Sequence, residues 1–264
     1  MSLIQLTDPP ATAPSVLSRG LSLLSAFHAD DDSLSLQALV SRTGLPKTTA
    51  YRMINEMVAW GALERTDRGY RLGLKLFELG NRSGARRHMV ACAAPVLDRL
   101  IAVSGENVYL TMLDDTDAVV LDKRSARGAT RLSAAIGDRL PLHASASGKI
   151  YLSQGTSRQL ERYAANGLIA VTPDTIVDLD RLRSDVALTK RRGYAVDIGE
   201  MRAGVTAVSA PVHSGDQSLV ATLAICGAKD RVNPDRLAEV IRMGAAWLSR
   251  ELAVSNTVAI THVA

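Results

Sequence analysis

Lys47, Thr48, Thr49, Tyr51 and Arg52 crowd into the first two turns of the stretch "GLPKTTAYRMINEMVAWG" (44–61), whose other side carries Ala50, Met53, Ile54, Met57 and Val58. Short hydroxyls and a guanidinium can meet base edges, whereas a lysine ammonium suits phosphate oxygens. Three further cations, Arg65, Arg68 and Arg71, follow in "ALERTDRGYRLG", and five cations oppose three anions between positions 45 and 71. A polar helix face alone is ordinary solvated surface. What argues for contact with nucleic acid is its setting, a Gly-containing turn before it and a basic hairpin behind it.

A second group lies in "LPLHASASGKI" (140–150). Gly148 and Lys149 suggest a phosphate loop, but His143 stands where that loop needs its first glycine and Ile150 where it needs Ser or Thr. His143, Ser145 or Ser147, and Asp197 suggest a nucleophilic triad, yet neither serine sits in a Gly-x-Ser-x-Gly turn. No catalytic residue and no cofactor is therefore expected. His28, His88, His213 and His262 are scattered and support neither metal binding nor acid–base chemistry. Binding uses the segment better: small residues ahead of a short helix let a ligand approach, and a helix N-terminus favours an anionic group. Asp197, between Val196 and Ile198 on a predicted strand, needs a hydrogen-bonding partner, either a ligand or backbone N–H groups.

These groups must be held by folded domains. The chain has 264 residues, 47% of them hydrophobic and 22% charged, a globular composition with room for two domains. Net charge is +4 and the pI about 9.2, which permits nucleic-acid binding without requiring it. Cys92 and Cys226 form no disulfide framework, and there is no signal-peptide pattern or membrane-length apolar run, so the cytoplasm is the expected address.

Residues 1–14, with three prolines, read as a flexible tail. Spacing predicts a first helix over 15–28 through Val16, Leu17, Leu21, Leu24 and Phe27, and a second burying Leu36, Leu39 and Val40 and stopped by Gly44. The third helix starts with Pro46 at its first position, and a hairpin turns at Asp67-Arg68-Gly69. Helix, helix, turn, helix, hairpin is the layout of a winged helix-turn-helix, expected over 15–73. A helical connector over 74–85 follows, broken near Gly80 and Gly84, with a kink or restart at Pro95. Strands and helices then mix without strict alternation, which predicts an α+β domain, a sheet flanked by helices, over 86–254 with a closing helix over 233–252 and a tail over 255–264.

The segments "SVLSRGLSLLSAF", "LVSRTGLPKTTAYRMINEMVAWGALER" and "GYRLGLKLFELG", with "GDRLPLHASASGKIYLS" and "RRGYAVDIGEMRAGVTAVSAPV", resemble the IclR-type bacterial transcriptional regulators along nearly the full chain. The resemblance implies a winged helix-turn-helix, a linker helix and a GAF-like effector domain. It further implies dimers that pair into tetramers, palindromic operator DNA as partner, regulation of a metabolic operon, here as a repressor, and a small organic acid as effector. By similarity the pocket is lined by Leu140, Ala146, Ser147, Asp197, Val205, Ala207, Ala224 and Cys226. Where relatives that bind small oxoacids carry Cys or Ser, positions 207, 224 and 226 here hold Ala, Ala and Cys, which implies a more apolar acid. The competing readings are core packing for these small residues, a sensor that binds no DNA, and an enzyme.

Overall fold

The structure, a computed structural model, describes residues 15–28, 30–129 and 134–261, with the backbone alone for 255–261. The tail expected over 1–14 and His262 lie outside them. The chain divides into two compact units, Met1–Gly84 and Ala85–Ala264.

In the first unit, helix α1 (Val16–Ser25) is capped by the Ser15 side chain, which accepts from the Ser18 N–H at 3.0 Å. Helix α2 (Leu36–Thr43) is capped likewise by Ser35 and ends at Gly44, and α3 (Lys47–Trp60) ends at Gly61; both glycines adopt the left-handed conformation that stops a helix. Strands β1 (Leu63–Thr66) and β2 (Gly69–Leu72) pair antiparallel around Asp67 and Arg68. The three helices and the hairpin enclose one core containing Leu23, Leu39, Ala50, Met53, Ile54, Leu63 and Tyr70.

Two sequence expectations change here. Pro46 occupies the cap position, with ψ of 135°, rather than the first helical one. Leu36 and Val40 are half-buried where full burial was expected. Helix α1 buries Gly20 and Leu23 but leaves Val16, Leu17 and Leu21 exposed. It is apolar around more of its circumference than its own unit covers.

Helix α4 (Leu74–Gly80) ends well before residue 85, residues 81–83 interrupt the helix, and α5 (Gly84–Ser104) begins afresh. Helix α5 runs through Pro95 without restarting, because a proline removes one backbone bond whose freed acceptor belongs to Ala91, an exposed residue.

The second unit is built on an antiparallel sheet of six strands in the order β5-β4-β3-β8-β7-β6. These are β3 (Asn107–Asp114), β4 (Asp117–Arg124), β5 (Arg139–Pro141), β6 (Ala195–Ile198), β7 (Val205–His213) and β8 (Leu219–Ala228). Alternation along the strands sends Val108, Leu110, Val208, Ala210, Leu223 and Ile225 to one face, where they pack on α5 and on α9 (Pro234–Thr261). Helix α9 continues through the backbone of 255–261, most of the stretch expected to be a tail.

The opposite face carries Tyr109, Ala207, Ala224 and Cys226 and packs against α6 (Ala146–Gln154). Helices α7 (Ser157–Ala165) and α8 (Leu179–Arg192) complete that side. A Cβ on Gly148 would lie 2.2 Å from the Leu142 Cα, so α6 can pass this close to the preceding loop only with glycine there. That contact is the physical reason for the glycine in "SGK". No helix among the described residues is long and apolar enough to cross a membrane.

Candidate functional site

Helix α3 buries Ala50, Met53 and Ile54 and turns Lys47, Thr48, Tyr51 and Arg52 outward, with Thr49 half-buried on the flank. Positions 47, 48, 51, 52 and 55 share one helical face, because neighbours three and four apart stack along it. Lys47 and Arg52 make no ion pair among the described residues, so their charge is available to a polyanion. Tyr51 is hydrogen-bonded by Asn55 and lies near Arg65, which together hold its phenol below the ordinary value.

The three hairpin arginines have different circumstances. Arg68 sits at the tip with its side chain 85% exposed, its nearest carboxylate that of Asp67 at 4.0 Å. Arg71 pairs with Glu64 at 2.6 Å, and Glu64 also accepts from the Leu74 N–H at 3.1 Å. Arg65 donates to Asn55 Oδ1 at 2.5 Å and stacks over Tyr70, its Cζ 5.4 Å from the ring centroid. Arg65 thus ties the hairpin to α3, and Arg68 is the hairpin cation best placed to reach outward. Asn55 was not among the residues singled out from the sequence, although its position four residues after Tyr51 was the available signal.

In the second unit the residues grouped by resemblance do assemble on one face. Cross-strand registers place Asp197 opposite Ala207, and Ala207 opposite Cys226. The adjacent row runs from Ser209 to Ala224 to Tyr109. Ala146 packs on Ala207 and Cys226; Leu140 packs with Tyr109 and Ala224; Val205 shares the face two residues before Ala207. Ser147 Oγ lies 3.4 Å from Ser209 Oγ, which donates to the Leu223 carbonyl at 2.9 Å. Helix α6 is capped by Ser145, which accepts from the Gly148 N–H at 3.1 Å. Its first turn therefore approaches a floor made of small side chains, an arrangement shared by a packed core and a pocket wall.

Asp197 is buried and accepts from the backbone N–H groups of Glu200 at 2.7 Å and Met201 at 3.3 Å. Burial, with the negative charge of Glu200 behind it, pushes its carboxyl up to about 7. Burial also pushes the Cys226 thiol up, so it stays protonated.

Lys149 is fully buried and donates to Glu200 Oε1 at 2.6 Å and to the Val196 carbonyl at 3.2 Å; its ammonium lies 2.8 Å from Asp185. It joins α6 to α8 and β6 and has no exposed donor for a phosphate. His143 is held by the Tyr163 hydroxyl at 2.8 Å and the Ile169 carbonyl at 3.0 Å. Since a carbonyl only accepts, Nε2 carries the proton and Nδ1 accepts from Tyr163. Ser145 donates to the Pro141 carbonyl at 2.9 Å, and Asp197 is engaged by backbone. The imagined triad is not assembled.

Tyr109 and Lys123 also belong to this face and were not found from the sequence. Tyr109 stands between Ala224 and Lys123 in the register, and the Lys123 ammonium lies 5.4 Å from the centroid of its ring. Alternation along "NVYLTML" gave the only signal, and it does not reveal which strands flank β3.

Residues 16–67 match the IclR helix-turn-helix domain, and residues 83–250 match the C-terminal domain of bacterial IclR transcriptional regulators. The chain is 32% identical over 239 residues to the acetate operon repressor of Salmonella typhimurium, covering 89% of this chain and 87% of that one. It is 32% identical over 239 residues to the transcriptional repressor IclR of Escherichia coli, covering 87% of each. The crystal structure of an IclR homologue of Microbacterium hydrocarbonoxydans complexed with 4-hydroxybenzoate superposes with a TM-score of 0.83 at 29% identity, over 90% of this chain and 99% of that one. A winged helix-turn-helix unit with an outward basic face, joined to a six-stranded α+β unit, with both units matched in order along the chain, places this protein in the IclR family of DNA-binding transcriptional regulators, which are not enzymes.

Proposed function

We propose that the protein is a repressor of a metabolic operon whose affinity for palindromic operator DNA is set by a small organic acid bound in the second unit. The observation that carries the DNA half is the outward face of α3, where Lys47 and Arg52, beside Thr48 and Tyr51, make no ion pair among the described residues. In this reading Thr48, Thr49, Tyr51 and Arg52 meet base edges, Lys47 and Arg68 meet phosphates, and Arg65 and Arg71 hold the hairpin in place. A homodimer, or a tetramer built from two, would set two copies of α3 in successive major grooves. Effector binding then needs only to change the spacing or orientation of these helices, and the interrupted connector over 74–84 is the segment available to carry that change.

The acid's carboxylate is assigned to the first turn of α6, against Ser147, with Leu140, Ala146, Val205, Ala207, Ala224 and Cys226 around its apolar body. Small side chains at 207 and 224 favour an aromatic or branched acid over a two-carbon one. Asp197 supports the loop that closes this end through its bonds to Glu200 and Met201. The 4-hydroxybenzoate in the Microbacterium homologue lends support to an acid of this size.

Mapping the promoters the protein occupies in its own cell yields an operator fragment. Purified protein should release that fragment on addition of one of a panel of aliphatic and aromatic carboxylates. Occupancy confined to no discrete site would overturn the DNA reading, and a fragment that no carboxylate releases would overturn the effector reading.

A further inference from the structure

The hydroxyl of Tyr109 is buried, on a residue only 3% exposed, and has no hydrogen-bond partner among the described residues. A buried phenol without a partner costs stability that a phenylalanine of the same shape would avoid. The ring packs on Leu140, Ala224 and Cys226, residues of the face assigned above to the effector. The Lys123 ammonium, fixed by the Ala134 carbonyl at 2.7 Å, lies 5.4 Å from the ring centroid. The Arg202 charge also acts on the phenol; Asp138 opposes it. Burial keeps the phenol protonated, so it remains a donor.

The other polar end of the face is the first turn of α6. Ser147 there lies over β7, against Ser209; Ser209 is opposite Ala224 on β8, and Ala224 is opposite Tyr109 on β3. Two inter-strand steps of about 4.8 Å separate these ends at the backbone. That separation suits a ring-sized acid with polar groups at both ends better than a two-carbon one.

We propose that the Tyr109 hydroxyl anchors the effector, and that the effector is a small ring-sized carboxylic acid with a second oxygen function at the end opposite its carboxylate. The assignment rests on the effector reading above and sharpens it: α6 takes the carboxylate, and Tyr109, in the field of Lys123 and Arg202, donates to the far oxygen.

Binding of benzoate, 4-hydroxybenzoate and terephthalate to the full-length protein and to its Tyr109→Phe variant tests this by calorimetry. The wild type should bind the two doubly substituted acids at least about tenfold more tightly than benzoate, the discrimination one buried hydrogen bond gives. Tyr109→Phe should bind those two about tenfold more weakly and benzoate no more weakly, so that the preference disappears. A preference that persists in Tyr109→Phe overturns the role of Tyr109 while leaving the pocket. Equal binding of all three acids by the wild type overturns the second oxygen function without recourse to any variant. No binding of any of the three overturns the ligand class, and the operator-release panel then decides separately whether an acid effector exists at all.

Discussion

Arg65 on β1 donates a hydrogen bond of 2.5 Å to Asn55 on α3. The same guanidinium stacks over Tyr70, and Tyr70 exchanges backbone hydrogen bonds with Leu34 at 2.8 and 2.9 Å. The hairpin is thereby tied to α3 in the absence of DNA, an arrangement that lowers the ordering cost of any binding that uses both.

Arg65 and Arg68, two of the three hairpin arginines, should therefore behave differently on substitution. Arg68→Ala is expected to leave thermal unfolding unchanged and to weaken DNA binding uniformly, with a salt slope smaller by about 0.9 for one lost phosphate contact. Arg65→Ala is expected to lower the unfolding temperature and to weaken DNA binding as well. Thermal scans and salt titrations of both variants check this; identical behaviour would contradict the distinction.

Among the described residues, Lys149 is the only cation set against both Glu200 and Asp185, at 2.6 and 2.8 Å. Lys149→Met should destabilise the protein by about 3–5 kcal/mol, because it strands carboxylates out of water. The double change Lys149→Met with Glu200→Leu should recover part of that loss. Urea unfolding of the full chain measures both, and a single variant as stable as the parent would refute the assignment.

Asp197 gives the second unit a pH dependence of definite sign. Its carboxyl titrates at about 7 in the folded protein against an ordinary value of 3.8, so the folded state holds a proton that the unfolded chain has released. Stability from this group is full below the unfolded value, falls as pH rises towards 7, and is flat above, with a slope of at most about 1.4 kcal/mol per pH unit. Asp197→Asn keeps an acceptor for the Glu200 and Met201 N–H groups but does not titrate. Relative to that variant the parent should lose stability between pH 5 and 7; parallel stability curves would rule the shift out.

The order of elements was largely legible because caps, glycine stops and alternation are local signals. Ser35 with Gly44 bounds α2, and Asp67-Arg68-Gly69 sets the hairpin. What could not be read was non-local. Tyr109 lies opposite Ala224 across more than a hundred residues of chain, and no periodicity within β3 announces that pairing. Lys149 stood beside Gly148 like a phosphate-loop residue, and its burial depends on Glu200 and Asp185, which belong to other elements. In helix α1 apolar residues occur around most of the circumference, so spacing predicts the helix but does not select Gly20 and Leu23 as its inward side.

The central claim is that the outward face of α3 reads DNA. The salt dependence of operator affinity for the wild type, Lys47→Ala and Arg52→Ala, with folding verified by thermal unfolding, tests it most directly. Each variant should bind more weakly, and the slope of log affinity against log salt should drop by about 0.9 for each cation that meets a phosphate. Affinity and slope unchanged from the wild type in both variants would contradict it.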